Sequence, residues 1–290
     1  MFKSIQELIE KAAAEDKAIS DVMIEQEVAV TGRSYLDIYK DMERNLEVME
    51  SAVEEGIGGV ESTTGLTGMD AVKMKKYIDS GKGLSGELTL YAIAHAVSTN
   101  EVNAAMGKIC ATPTAGSAGV VPGVLFAMRE KHDISREQMV KFLFTSGAFG
   151  FVVANNASIS GAAGGCQAEV GSASAMAAAA LVEMAGGTPE MSAHGFAIAL
   201  KNMLGLVCDP VAGLVEVPCV KRNAAGASNA LTAADMALAG IESRIPADEV
   251  VEAMYKIGLT MPSALRETGR GGLAGTPTGE RIKAELFGEQ

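Results

Sequence analysis

Apolar residues recur at helical spacing along most of the chain. Ile5, Leu8, Ile9 and Ala12 share one side of a helical repeat, and Ser4 with Glu7 has the form of a capping box, so residues 4–16 are predicted to form a helix. Leu36, Ile38, Tyr39, Met42, Leu46, Met49 and Val53 alternate with acids and bases over 34–54, as in a long, half-exposed helix. Glycine, serine and threonine break the pattern over 55–70, which reads as a loop. Helical spacing resumes over 70–78 and 87–110, then stops at 111–119 before a further apolar helix to Arg129. Ser135 with Gln138 opens the next helix, and segments 142–157 and 167–185 are apolar on nearly every side, as in helices enclosed by other helices. Only 211–220 reads as extended. The pattern predicts an all-α fold: a single compact multi-helix domain over 1–290 with apolar central helices, glycine-rich active-site loops, and residues 1–55 as an outer helical layer.

Composition narrows the classes of function. The 290 residues carry 24 Lys plus Arg against 36 Asp plus Glu, a net charge of -12, which suits neither nucleic acid nor any other polyanion. Aromatics make up only 4%, while Gly reaches 33 and Met 16, so the core is built from Ala, Leu, Val and Met with closely approaching backbones. No apolar run reaches the roughly 18 residues of a membrane-spanning helix, and Lys3, Glu7, Glu10 and Lys11 punctuate the start, so neither a signal peptide nor a membrane span is read. A cytoplasmic chain is expected. In that reducing compartment four cysteines serve metal binding or catalysis better than disulfides.

Three of those cysteines sit at breaks in regular structure: Cys166 after Gly164-Gly165, Cys208 before Asp209-Pro210, and Cys219 after Pro218. Freed backbone there lets thiolates converge with N–H groups to spare. Their separations match neither a zinc ribbon nor a ferredoxin run, so the residue types alone leave buried free cysteines as an equal alternative.

Several motifs carry a resemblance over nearly the whole chain: Gly65-Leu66-Thr67-Gly68, Pro113-Thr114-Ala115-Gly116-Ser117-Ala118-Gly119, Gly164-Gly165-Cys166-Gln167-Ala168-Glu169, Gly205-Leu206-Val207-Cys208-Asp209-Pro210-Val211-Ala212-Gly213, and Val217-Pro218-Cys219-Val220-Lys221-Arg222-Asn223. In this order they resemble the alpha chain of the bacterial iron–sulfur-dependent L-serine dehydratases. The resemblance implies a helical catalytic chain with an oxygen-labile [4Fe–4S] cluster on Cys166, Cys208 and Cys219, and leaves Cys110 as a core cysteine. Three ligands leave one iron open to act as a Lewis acid on the hydroxyl of L-serine while a base removes the α-proton; the resulting aminoacrylate yields pyruvate and ammonia without pyridoxal phosphate. A separate beta chain, and so a hetero-oligomer, is also implied, with Met69, Met74 and Met128 open to reading as docking or as core positions. No cysteine follows Cys219, so a resting cluster closed by a C-terminal cysteine has no counterpart here, though residues 269–279 are candidates to order near the site.

For the substrate carboxylate, loop 113–119 leads into an apolar helix whose N–H groups and dipole suit an anion. Thr114, Gly116, Ser117 and Gly119 are read as substrate-binding, with Thr64 and Asn155 as further candidates; close helix packing is the other reading of 113–119, and a solvated turn that of 62–68. Asn155 and Asn156 interrupt an apolar helix and need partners. Lys221 is the candidate base if burial lowers its pKa, whereas Lys221 or Arg222 could equally offset thiolate charge. His95 and His194 read as core residues, and His132 as a surface one. Two rival functions stand beside the lyase: a non-catalytic helical metal-binding subunit, and a cluster dehydratase acting on threonine or a related hydroxy acid.

Overall fold

Hydroxyl side chains start many of the helices. In the computed structural model of the protein, which describes residues 1–288, Ser4, Ser34, Ser135, Ser160, Thr188 and Thr276 each accept a first-turn backbone N–H. In chain order the helices are α1 (Ile5–Ala14), α2 (Ile19–Thr31), α3 (Tyr35–Gly58), α4 (Asp70–Asp79), α5 (Glu87–Ala104), α6 (Val120–Lys131), α7 (Arg136–Asn156), α8 (Gly161–Gly164), α9 (Ser172–Met184), α10 (Pro189–Asn202), α11 (Cys219–Leu238), α12 (Ala247–Thr260) and α13 (Pro277–Phe287). Among the described residues no strand forms, and the extended pairings are two isolated bridges, Glu61 with Gly68 and Cys208 with Arg266. The fold is all-α, as the hydrophobic pattern predicts. No helix of the described residues is long and apolar enough to cross a membrane.

α9 lies at the centre. Every residue from Ser172 to Val182 is buried, and α6, α7, α10 and α11 pack around it. Small side chains let this inner layer close up: a Cβ at Gly123 of α6 would lie 2.8 Å from the Cβ of Ala96 and 2.9 Å from the Ala92 carbonyl, so α5 and α6 meet backbone to backbone. Around this layer α1, α2 and α3 pack on α5, α7, α10 and α12. Carboxylate contacts fasten them: Asp248 accepts the Ile5 and Gln6 N–H groups at 2.8 and 2.9 Å, and Glu183 accepts that of Ile19 at 2.6 Å, each at a helix N-terminus.

The pattern assigns no range to α10, α11, α12 or α13, and the structure departs from it in four further places. α2 is missing from it, because its buried Ile19, Val22, Met23, Ile24 and Gln26 are interleaved with acids and followed by the exposed Val30. α5 ends at Ala104 rather than 110, where Met106, at φ 64°, and Gly107 turn the chain back. Residues 211–220 form no strand; a short turn at Val211–Gly213 leads toward α11. The predicted helix over 167–185 starts with a π turn, Gln167–Gly171.

Candidate metal centre and active site

Three chain breaks converge on one buried region. Cys166 ends the turn after α8, Cys208 lies in the extended segment bridged to Arg266, and Cys219 is the first residue of α11. All are free thiols, exposed by only 3%, 4% and 9%. Burial pushes Cys166 up to about 11, against the pull of Arg222; burial together with the charge of Cys166 pushes Cys219 up to about 12. Cys208 is raised too, by burial first and then by Glu169, Cys166, Glu267 and Cys219. The thiols therefore lie within electrostatic reach of one another.

Glu169 joins them from the π turn. Its Oε1 accepts the Thr114 hydroxyl at 2.7 Å, and its Oε2 lies 3.9 Å from Cys208 Sγ. Burial raises its pKa above the usual carboxylate range, opposed by the Thr114 hydroxyl and the Gly161 N–H. Two glycines make room: a Cβ at Gly116 would approach Glu169 Oε1 to 3.2 Å, and one at Gly161 would lie 2.7 Å from Cys208 Sγ. Buried Asn223 couples loop and ligand segment, donating to the carbonyls of Gly116 and Cys219 at 2.7 and 2.9 Å while accepting the Gly119 N–H at 3.0 Å. Arg222 lies 2.7 Å from Asp209 Oδ1 and donates to the Val207 carbonyl at 2.7 Å. Asp209 Oδ2 in turn accepts the Leu273 N–H, and Cys208 exchanges backbone hydrogen bonds with Leu265 and Glu267, so part of the tail from 265 to 273 straps the Cys208 segment.

A family model described as serine dehydratase alpha chain matches residues 14–274. The chain belongs to that family. A probable L-serine dehydratase alpha chain of Bacillus subtilis (strain 168) is 72% identical over 288 residues, covering 99% of this chain and 96% of the relative. The L-serine dehydratase alpha chain of Peptoniphilus asaccharolyticus is 44% identical over 299 residues, covering 100% and 99%. L-serine dehydratase TdcG of Escherichia coli (strain K12) is 36% identical over 284 residues, covering 94% of this chain but 61% of that longer one. In this serine dehydratase alpha chain the candidate ligands are three thiols free of disulfides, with Glu169 beside Cys208 and Arg222 as the cation that acts on Cys166 and Cys219. Among the described residues no group of three or more His, Cys, Asp or Glu is placed to hold a single metal ion.

The predicted site residues divide. Thr114 and Gly116 lie against Glu169. Ser117 is fully buried and gives its hydroxyl hydrogen to the Thr112 carbonyl at 3.1 Å; a Cβ at Gly119 would run into the Ala96 carbonyl, and its N–H goes to Asn223, so both serve packing. Thr64 donates to buried Glu216 at 2.8 Å, tying loop 62–68 to the Cys219 segment instead of presenting a free donor. Asn155 and Asn156 are exposed at the end of α7; Asn155 bonds the Phe151 carbonyl of its own helix. Lys221 is not buried as a candidate base was expected to be: its side chain is 59% exposed and pairs with Asp70 at 2.5 Å. Of the three methionines, Met69 is exposed while Met74 and Met128 pack on apolar clusters. Cys110 is half-buried, with its Sγ 3.5 Å from the Asn45 carbonyl. His95 is buried, His194 accepts the Ser243 N–H, and His132 is exposed. Glu169, Glu216 and Asn223 lay inside or beside the quoted motifs without a role; the lone carboxylate of Glu169 in an Ala-rich apolar run was the available signal.

Proposed function

We propose that this chain is the catalytic subunit of an L-serine dehydratase, which removes water from L-serine to yield pyruvate and ammonia, with a [4Fe–4S] cluster on Cys166, Cys208 and Cys219. The observation that carries the reading is the buried thiol trio sharing its region with Glu169 and Thr114. The names of its relatives support the substrate. When bound, such a cluster supplies a Lewis acid for the substrate hydroxyl.

The chain's own groups do the rest. Ala115 and Gly116 carry backbone N–H groups that no oxygen of the described residues accepts, and these, beside Glu169, are the donors for the substrate carboxylate. Glu169 Oε2 takes the α-proton: Arg222 is engaged with Asp209 and the Val207 carbonyl, and Lys221 is tied to Asp70 in solvent. Thr114 fixes the Glu169 carboxyl through Oε1. Asn223 holds loop and ligand segment in register, and Arg222 offsets thiolate charge. A separate beta chain completes the enzyme, in keeping with the alpha-chain names of the relatives and with the longer TdcG chain, of which this one spans 61%. The four unpaired cysteines suit a reducing cytoplasm.

The test is anaerobic reconstitution with iron and sulfide, beta chain present, followed by pyruvate release from L-serine. Turnover of L-serine is expected; 2-oxobutanoate from L-threonine at a higher kcat/KM would shift the substrate, and iron binding without turnover would leave a metal-binding subunit.

A further inference from the structure

A cavity of about 390 Å³ lies on the far side of loop 112–119, between α3, α7 and α9, with none of the three thiols or Glu169 in its wall. No charged side chain lines it; Met42, Met49 and Met176 supply much of the surface, and Thr112 and Pro113 form one side. α7 is notched here: a Cβ at Gly147 would meet nothing within 4 Å. Beside that notch sits Ser146, only 2% exposed, which puts a hydroxyl-bearing residue in the wall. At the mouth, exposed Asn45 holds the Cys110 thiol through its carbonyl oxygens.

We propose that this cavity is a binding site for a small, neutral, largely apolar molecule carrying one hydrogen-bonding group. The size is right, since ligand pockets run from about 300 Å³ and a dry cavity of about 150 Å³ already takes up benzene. Uncharged walls disfavour an amino acid, whose ammonium and carboxylate would be desolvated without partners. Methionine side chains adapt to an apolar body of varied shape. Ser146 in the wall offers a ligand donor or acceptor a hydroxyl partner. The site touches the substrate loop as well, because the Thr112 carbonyl in its wall accepts the Ser117 hydroxyl.

Indole, neutral and bicyclic with one N–H, is the probe. Binding to the full chain is measured by calorimetry and by thermal shift, without any need for iron. One binding site is expected, with Tm rising by about 2–4 °C at tenfold excess over Kd. At that excess, alkylation of Cys110 by N-ethylmaleimide, read by peptide mass spectrometry, slows by about tenfold. Gly147→Leu, whose side chain enters the notch, abolishes both effects, and Ser146→Ala weakens binding by about fivefold. No heat and no shift up to the solubility of indole, or binding with Cys110 unprotected, overturns the proposal. So does unchanged affinity in a folded Gly147→Leu chain; if that variant misfolds, the Cys110 protection and Ser146→Ala decide.

Discussion

α3 and α9 contribute to the same core and are built in opposite ways. α3 buries one face, Ile38, Leu46, Met49, Ala52, Val53 and Gly56, and holds the other in place with ion pairs, Asp41 to Arg33 and Glu50 to Arg129 and Arg136. α9 and the π turn before it bury every residue from Gln167 to Val182, with alanine at seven of the sixteen positions and one carboxyl, Glu169. A one-faced helix tolerates exchange on its free side. A helix enclosed on all sides has no spare volume, so a carboxyl there persists only with partners, and Glu169 has them in Thr114 and the Cys208 thiol. Chemistry is expected on the enclosed helix and stability reserves on the open one.

The largest effect that sharpens this contrast is loss of a thiol. Cys208→Ala, reconstituted anaerobically, is expected to lose both the visible absorbance of the cluster and all detectable pyruvate release; a full iron complement in this variant would remove Cys208 from the ligand set. Next comes Glu169→Gln, which keeps shape and hydrogen bonding but cannot take a proton. Its kcat should fall by about 10²–10⁴ with iron content unchanged. Normal turnover in Glu169→Gln would return the base to another group.

How far the sequence revealed this arrangement follows from the same contrast. Apolar period read α1 and α3 well, since a one-faced helix writes its orientation into its residues, and a capping box marked the start of α7. The enclosed segment told only that it is buried; its π turn leaves no trace in an Ala-rich run that has no polar face to shift. Cysteines at chain breaks were visible, and the structure buries all three, yet Lys221 and Thr64 looked equally suited to the site. Which hydroxyl keeps its hydrogen for a ligand depends on Glu216 and the Thr112 carbonyl, contacts across 152 and 5 residues that spacing does not encode.

The inner layer holds a second buried titratable group, His95 on α5, 4% exposed. Burial, with the charge of Arg129 adding to it, lowers its pKa from 6.5 to about 4, so the folded chain keeps it neutral. Between those values the unfolded chain binds more protons, and stability rises with pH. The contribution is complete above pH 6.5 and is lost as pH falls toward 4, up to about 3 kcal/mol. Urea unfolding of wild type and His95→Gln at pH 7.0, 5.5 and 4.5 reads this as a difference in slope; parallel curves would put His95 in contact with water.

The smallest expected effects test the contrast directly. Ala178, fully buried on α9, has no room for growth, and Ala178→Leu should destabilise by about 1–3 kcal/mol through forced rotamers and backbone shifts. Glu47, on the free side of α3, lies 3.5 Å from Arg136 with 63% of its side chain exposed. Glu47→Ala should change stability by less than about 0.5 kcal/mol, because solvent screens the pair and Arg136 retains Glu43 and Glu50. Whatever difference there is should shrink further as salt is raised. Both variants are read by the same urea midpoint. A loss at Glu47 as large as that at Ala178 would mean that the outer face of α3 is covered in the working protein, and the beta chain would be the first partner to test against it.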